Sequence, residues 1–324
     1  MNGQNSNPLV SVAMPVYNHG AHIAKALDSI LMQKADFDIE IVISDDYSTD
    51  NTREILKVYN EKYPDKIKLL LAEKNRGVNY SALDVFKNCN GKYIAFLEGD
   101  DYWINENKLQ KQIDFLEQNP EYIGCFHDAE IVSTLEADIL KHNQYHQEYK
   151  YYSQFNRFRS DFYPGDVIER NIIPTASLVV RNSNKIFDFF EVFNDISLSL
   201  NWAFQIFIIK DSKFRYINET WSIYNDHPGG ISKTQTLDSF KQSNIKVLKR
   251  LVKNHYSNYK YSFYKTIAGE YQQIFYCNQK YKMRCVAFFK NLILFSFYSL
   301  ISFRYQISDI YYYRKDMKDK QCVV

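Results

Sequence analysis

Four short apolar runs in the first hundred residues, "LVSVAMPVY", "DIEIVISDD", "KIKLLLAE" and "KYIAFLEG", are separated by three segments of helical period. In "GAHIAKALDSILMQ", Ile23, Leu27, Ile30 and Leu31 fall at helical spacing. "STDNTREILKVYNEKY" opens on capping-type residues and closes before Pro64, and "VNYSALDVFKNC" supplies the third helix. Strands alternating with helices of this length imply right-handed βαβ units and a parallel sheet flanked by helices, an α/β fold. In such sheets ligands bind outside the carboxyl ends of the strands. The polar residues that follow these strands are Tyr17 and Asn18, Asp45 and Asp46, and Asp100 and Asp101. They should converge on one edge.

The fourth run carries the sharpest chemical question. "AFLEGDDYW" leads an apolar strand directly into Glu98, Gly99, Asp100 and Asp101. Adjacent carboxylates repel, and a desolvated one costs free energy unless a cation sits against it. One reading is that Asp100 and Asp101 hold a divalent cation that also grips a diphosphate; hard oxygen ligands suit Mg²⁺ or Mn²⁺. The competing reading is helix capping, by Asp100 and Asp101 near Asn105 and by Asp45 and Asp46 after Ser48. Two such pairs at one sheet edge favour the site.

Beyond residue 105, "NKLQKQIDFLEQNPEY" reads as a helix, "YIGCFHDAEIV" as a strand, and residues 137–163 as a long polar loop or lid. "IPTASLVVRN" is strand-like, "LNWAFQIFIIK" an apolar helix and "FRYINETWSIYN" strand-like again. His127, after "CF", reads as a half-buried structural residue at a strand end. Past residue 235 the pattern turns helical and rich in Lys, Tyr and Phe. The chain of 324 residues is 45% hydrophobic, enough for one large core or two smaller ones. Forty Lys and Arg against 38 Asp and Glu give a net charge of +2, which offers no nucleic-acid footprint. Five scattered cysteines without metal-ligand spacing fit a reducing compartment, and "MNGQNSNPLV" lacks the pattern of a signal peptide. A cytoplasmic location is the expectation.

Several of these stretches, in order, resemble the family 2 glycosyltransferases of the GT-A fold. "VSVAMPVYNHGAHIAKALDSILMQ" is similar to that family's opening PxYN strand-loop-helix, and "IVISDDYSTDNT" to its DDxSxDxT signature. "NRGVNYSALDVFKNCNGKYIAFLEGDDYW" is similar to the stretch from N-x-G through the DxDD metal motif. "NIIPTASLVVRN" and "YNDHPGGIS" resemble later landmarks of a bacterial surface-glycan branch. The likeness covers about residues 8–235. It implies a Rossmann-like, mostly parallel GT-A sheet in a domain over 1–235, followed by a helical C-terminal extension over 236–324. It also implies a nucleotide-sugar donor, with Asp45 reading a uracil-like base and Pro15 and Tyr17 lying along the nucleoside. Asp100 matches the residue near ribose and metal, Asp101 the direct metal ligand, and His227 a position in a loop that closes over the diphosphate and could be a third ligand. A lone loop His is also commonly a surface residue. The implied activity is metal-dependent hexosyl transfer from a UDP- or dTDP-sugar to a glycan or lipid-linked acceptor, with inversion.

The sequence also departs from that pattern. The family's general base is usually an aspartate just before a tryptophan; here "SLSLNWAFQIFI" places Asn201 there, and an amide cannot accept a proton at neutral pH. Either another carboxylate substitutes, with Asp195 the nearest, or the base is weakly needed, or the chain is a weakened transferase that binds donor as partner to an active one. Tyr47 replaces a small residue, Glu98 an Asp and Asn225 an Arg. A nucleotidyltransferase is disfavoured, because "MPVYNHGAH" has a single Gly and no Lys or Arg. Near the C-terminus, residues 284–304 are mostly apolar, with a weak polar stripe at Ser296, Ser299 and Ser302. They read either as an amphipathic helix on the inner face of the cell membrane or as a core helix.

Overall fold

The computed structural model describes residues 7–134, 150–155, 159–196, 198, 200–230, 235–254, 256, 258–280, 292–303 and 305. They form two compact units. The first comprises Met1–Phe162, Ile172–Ser197 and Ser212–Gly230, and the second Tyr163–Asn171, Leu198–Asp211 and Ile231–Val324.

The first unit begins as the alternation dictates: β1 (Val10–Val16), α1 (Ile23–Leu31), β2 (Ile39–Asp45), α2 (Thr52–Lys62), β3 (Ile67–Leu71), α3 (Val78–Asn88) and β4 (Tyr93–Phe96). These four strands are parallel in the order β3-β2-β1-β4. The rest of the unit holds β5 (Tyr102–Trp103), α4 (Lys108–Gln118), β6 (Tyr122–Ser133), β7 (Asp161–Phe162), β8 (Val179–Arg181), a helix at Lys185–Val192 and β9 (Lys213–Asp226). The sheet continues past β4 as β8-β6-β9-β5, with β7 also on β9. β8 is antiparallel to β4 and β6, β6 is parallel to β9, and β5 is antiparallel to β9. The sheet is therefore mixed beyond its parallel half.

In α1, Ile23, Ala26, Leu27 and Ile30 face inward at helical spacing, and all are 3% exposed or less. They join Val12 and Met14 of β1, Ile41 and Ile43 of β2 and Leu109, Ile113 and Leu116 of α4 in one core. Each such aliphatic side chain contributes about 1.5–3 kcal/mol on burial. Four elements escaped the sequence reading: β5 and β7, each only two residues long, and the helices at Pro164–Glu169 and Lys185–Val192. The run read as strand in 173–182 is strand only over Val179–Arg181, after a 3-10 turn at Thr175–Ser177. Most of the long loop expected at 137–163 lies outside the described residues.

The second unit contains α5 (Pro164–Glu169), which precedes the Lys185–Val192 helix, here α6; then α7 (Leu200–Ile209), α8 (Leu237–Asn254) and α9 (Lys260–Lys280). Trp202 Nε1 donates to Val167 O at 2.7 Å, tying α7 to α5. A buried Lys241–Glu270 ion pair (3.2 Å) joins α8 to α9. Residues 292–303 are helical.

A buried cation in the first unit sets a pH dependence. Lys108 is 0% exposed, and its Nζ lies 4.1 Å from the Trp103 ring centroid with no hydrogen-bond partner among the described residues. Burial pushes its pKa down from 10.5 to about 7. The unfolded chain therefore binds one more proton than the native one between about pH 7 and pH 10.5, so this group makes stability rise with pH across that window. Lys108→Met should remove this contribution. Urea melts across the window should show a wild-type slope steeper than the variant's by up to about 1.4 kcal/mol per pH unit.

Candidate functional site

β1 pairs with β2 on one side and β4 on the other, so the order of strands reverses at β1. That reversal separates the loops at the carboxyl ends and is where α/β sheets place ligands. Pro15 lies in β1, and Tyr17 follows it, 45% exposed. Asn18 is left-handed (φ 56°), which a short amide side chain tolerates. Its N–H donates to Ser48 Oγ at 2.9 Å, and its Oδ1 accepts the Thr49 N–H at 2.8 Å. The loops after β1 and β2 are thereby stitched together.

The two aspartates ending β2 have different jobs. Asp46 accepts the Arg76 N–H on Oδ1 (2.8 Å) and the Gly77 N–H on Oδ2 (2.7 Å), clamping the turn that starts α3. Gly77 at φ 89° lets that turn close. Asp45 is 0% exposed; its Oδ2 pairs with Arg53 Nε at 2.9 Å and accepts the Ser48 N–H at 3.2 Å. Oδ1 of Asp45 has no hydrogen-bond partner among the described residues. Neither aspartate caps α2. Asp50 does that work, accepting the Thr52 N–H at 3.0 Å. Tyr47 is left-handed (φ 64°) and 43% exposed, with the Arg53 guanidinium 5.4 Å from its ring. A position of this conformation suits Gly, and a Cβ there costs roughly 1–2 kcal/mol.

The turn after β4 gathers the carboxylates. Asp101 is 2% exposed, and its Oδ1 accepts the Asn225 N–H at 2.9 Å. Asn225 Nδ2 donates to the Asp100 carbonyl at 2.6 Å, so the residue standing in place of an Arg ties the end of β9 to this turn. His227 Nε2 lies 3.1 Å from Asp100 Oδ2, and His19 Nε2 lies 3.7 Å from the same oxygen. The His22 ring is 4.8 Å from that of His227. Gly99 admits this packing, since a Cβ there would sit 2.6 Å from His19 Nδ1 and 2.9 Å from Ile23 Cδ1. Sequence reading singled out His227 but missed His19 and His22, although "NHGAH" displays both.

Burial, then the charges of Asp100 and Glu98, push the Asp101 carboxyl well above the usual range. For Asp100 burial pulls upward too, but the His227 hydrogen bond and the imidazoles of His19 and His227 outweigh it and hold the group low. Burial holds His19 and His22 below the ordinary imidazole value. The Tyr152 and Tyr224 hydroxyls are pushed up, first by burial and then by neighbours that include Asp101. Asp101 is thus a carboxyl group whose charged form is disfavoured in this acidic, buried turn unless a cation joins it. Its oxygens, those of Asp100 and the imidazole of His227 fit a hard divalent cation as donors. Among the described residues no three His, Cys, Asp or Glu side chains converge as a ready cage, so phosphate or water would complete the set.

Asp195 is an exposed residue of the turn after α6, in the first unit. Asn201 is exposed in the first turn of α7, in the second unit, beside the buried Trp202. His127 is fully buried within β6 rather than half-buried at its end. Its ring packs 5.1 Å from that of Trp221, with Nδ1 2.7 Å from the Asp128 carbonyl.

Residues 11–173, just over half the chain, match the Glycosyl transferase family 2 model. The chain belongs to this family. An uncharacterised protein of Mycobacterium tuberculosis is 30% identical over 225 residues, 68% of this chain and 60% of that protein. The match thus spans well under two thirds of that relative's length. The UDP-Glc:alpha-D-GlcNAc-diphosphoundecaprenol beta-1,3-glucosyltransferase WfgD of Escherichia coli is 37% identical over 111 residues, 34% of this chain and 42% of WfgD. In fold, the chain resembles S. aureus TarS 1-349, crystallised with UDP-GlcNAc, at a TM-score of 0.64 and 18% identity, over 88% of this chain and 80% of that one. A family 2 glycosyltransferase on a GT-A-like sheet is the identity these matches give.

The Asp46 clamp is testable by itself. Asp46→Ala leaves two backbone N–H groups without their charged acceptor, each bond worth about 1.5–3 kcal/mol. Urea denaturation should register a loss of about 3 kcal/mol or more. A loss below about 1 kcal/mol would show that the turn before α3 holds without it.

Proposed function

We propose that this transferase moves a hexosyl group from a UDP- or dTDP-sugar to a hydroxyl of a glycan or lipid-linked acceptor, with inversion, at the cytoplasmic face of a membrane. The observation that carries the reading is Asp101, a buried carboxylate set among Asp100 and Glu98. Such a group is stable as an anion only beside a cation, and Mn²⁺ or Mg²⁺ arriving with a diphosphate supplies one. The UDP-GlcNAc bound by TarS and the UDP-Glc in the name of WfgD support the choice of donor, and the diphosphoundecaprenol in that name supports a lipid-linked acceptor. We assign the transferase domain to residues 1–235 and the extension to 236–324.

In this reading Asp45 recognises the base, because its Oδ1 is an acceptor without a hydrogen-bond partner among the described residues. Oδ1 is closed to water, so the base must displace a covering side chain to reach it. Arg53 holds the opposite oxygen and fixes the carboxylate's orientation. Pro15 and Tyr17 lie along the nucleoside. Asp101, with Asp100 and His227, holds the cation, which when bound stabilises the charge growing on the leaving diphosphate. The acceptor hydroxyl attacks from the face opposite the diphosphate and gives its proton to a base. Asp195 is the carboxylate we assign to that task, with Asn201 at the position where the family carries its acid.

A second reading has a specific observation behind it. The amide of Asn201 stands exposed at the start of α7 and cannot take a proton, as expected of a donor-binding partner with weakened chemistry. Rates separate the two. If Asp195 is the base, Asp195→Ala abolishes transfer and Asn201→Asp changes little. If the base has been lost, Asn201→Asp raises the rate, within the 10²–10⁴-fold range that general-base catalysis typically contributes.

Calorimetry tests the donor site. UDP should bind with Mn²⁺ or Mg²⁺ present and lose most of its affinity with EDTA, and Asp101→Ala should behave like the chelated wild type. Asp45→Ala should weaken UDP by about 1.5–3 kcal/mol while keeping the metal dependence. Equal UDP affinity with and without metal would sink the assignment of Asp101.

A further inference from the structure

The helical residues 292–303 are attached to the second unit by one face. Tyr298 stacks on Tyr264 (ring centroids 5.9 Å) and on Tyr271 (5.6 Å), and Tyr305 stacks on Tyr264 (5.6 Å). Lys249 of α8 lies 5.0 Å from the Tyr298 ring and donates to Tyr271 Oη at 2.9 Å. The other face carries Ile293, Phe297, Leu300 and Phe303, spaced by four, three and three residues and therefore on one side of the helix. They are 66%, 53%, 72% and 65% exposed. Of the three serines read as a polar stripe, only Ser296 is exposed. Ser302 is buried and Ser299 half-buried, while the four bulky apolar side chains stand outward. A stripe of that kind on a protein surface marks a binding face.

Charge identifies what covers it. On α8, Lys246, Lys249, Arg250 and Lys253 recur at helical spacing, and Lys249 connects that basic stripe to Tyr298. Together α8 and α9 carry eight Lys and Arg against two Asp and Glu. The sequences flanking the apolar helix, 281–291 and 304–324, carry eight against three. A second copy of the chain laid on this face would bring like charges together. An anionic bilayer satisfies both features, taking the apolar side chains to the depth of the headgroups and attracting the lysines. The twelve described helical residues rise about 18 Å against a hydrocarbon core of about 30 Å, and no helix among the described residues is long and apolar enough to span.

We propose that residues 292–303, with the basic stripe of α8, form a peripheral docking surface for a membrane rich in anionic phospholipid. The proposal does not depend on the donor reading, because its test measures partitioning rather than transfer. Flotation of the full chain with phosphatidylcholine vesicles, with and without one quarter phosphatidylglycerol, is the experiment. Wild type should float with the anionic vesicles and at least about tenfold less with neutral ones, and roughly 0.5 M NaCl should release much of it. F297D/L300D changes two exposed positions and should abolish flotation while leaving the urea melt unchanged. Lys246→Glu/Lys253→Glu should lower binding to anionic vesicles alone. Flotation of F297D/L300D equal to wild type overturns the proposal, as does equal wild-type binding to both vesicle types. If F297D/L300D itself unfolds, the Lys246→Glu/Lys253→Glu pair decides: unchanged anionic binding overturns the proposal. If sedimentation instead finds a dimer that F297D/L300D dissociates, and no vesicles bind, the face belongs to a second copy and the proposal falls.

Discussion

Everything around the candidate site is arranged about a buried carboxyl group, Asp101, with which no Lys or Arg among the described residues forms an ion pair. Asp101 sits where β4 delivers its backbone out of the core, and its acidic neighbours make the turn more negative still. A fold normally answers such a group by pairing it with Lys or Arg or by exposing it to water. Here the Asn225 N–H faces Asp101, and the imidazoles of His19 and His227 face Asp100. A cation beside these groups would favour the charged form of Asp101, which is why the proposed donor site is placed here.

The same loops show how backbone polarity is put to use. Asn18, Asp46, Asp50 and Asp101 each accept an N–H from a segment distant in sequence or next to a helix start. Short polar side chains at strand ends are cheap ways to satisfy such donors, because few rotatable bonds are frozen in doing so. The loops after β1 and β2 therefore hold each other, Asp46 holds the turn before α3, and Asp101 ties the turn after β4 to the end of β9. Asp46 commits both oxygens to backbone N–H groups, whereas Asp45 commits one and leaves Oδ1 without a hydrogen-bond partner among the described residues.

The parallel half of the sheet was legible because a hydrophobic period repeats four times, and each repeat independently implies the same architecture. β5 was hidden because two residues have no period; it is strand only through pairing with Ile223 and Ser222 of β9. The sheet-edge carboxylates were visible as residue types, but their division of labour was not. Nothing near Asp46 in sequence announces that its partners are the N–H groups of Arg76 and Gly77, about thirty residues on. Arg53, the partner of Asp45, reads in sequence as one more polar position of a helix. His19 and His22 were in plain view, yet only the crossing of the β1 loop past Gly99 gives them a common neighbour in Asp100. Tyr47 was noted as an unusual residue, and its backbone explains why a small one is usual there.

The long β6–β9 ladder also bears on how the chain is made. Its partners, from Tyr122 with Lys213 to Ser133 with Asp226, are about ninety residues apart, and the chain leaves the first unit twice between them. At typical translation speeds roughly 5 to 20 s separate the synthesis of β6 from that of β9. Throughout that interval one edge of β6 has no strand to pair with, and open edges invite the wrong partner. Growth of the nascent chain thus leaves the sheet half-built while two segments of the second unit emerge. Its last central strand arrives late, and a chaperone that shields strand edges has a defined window in which to act.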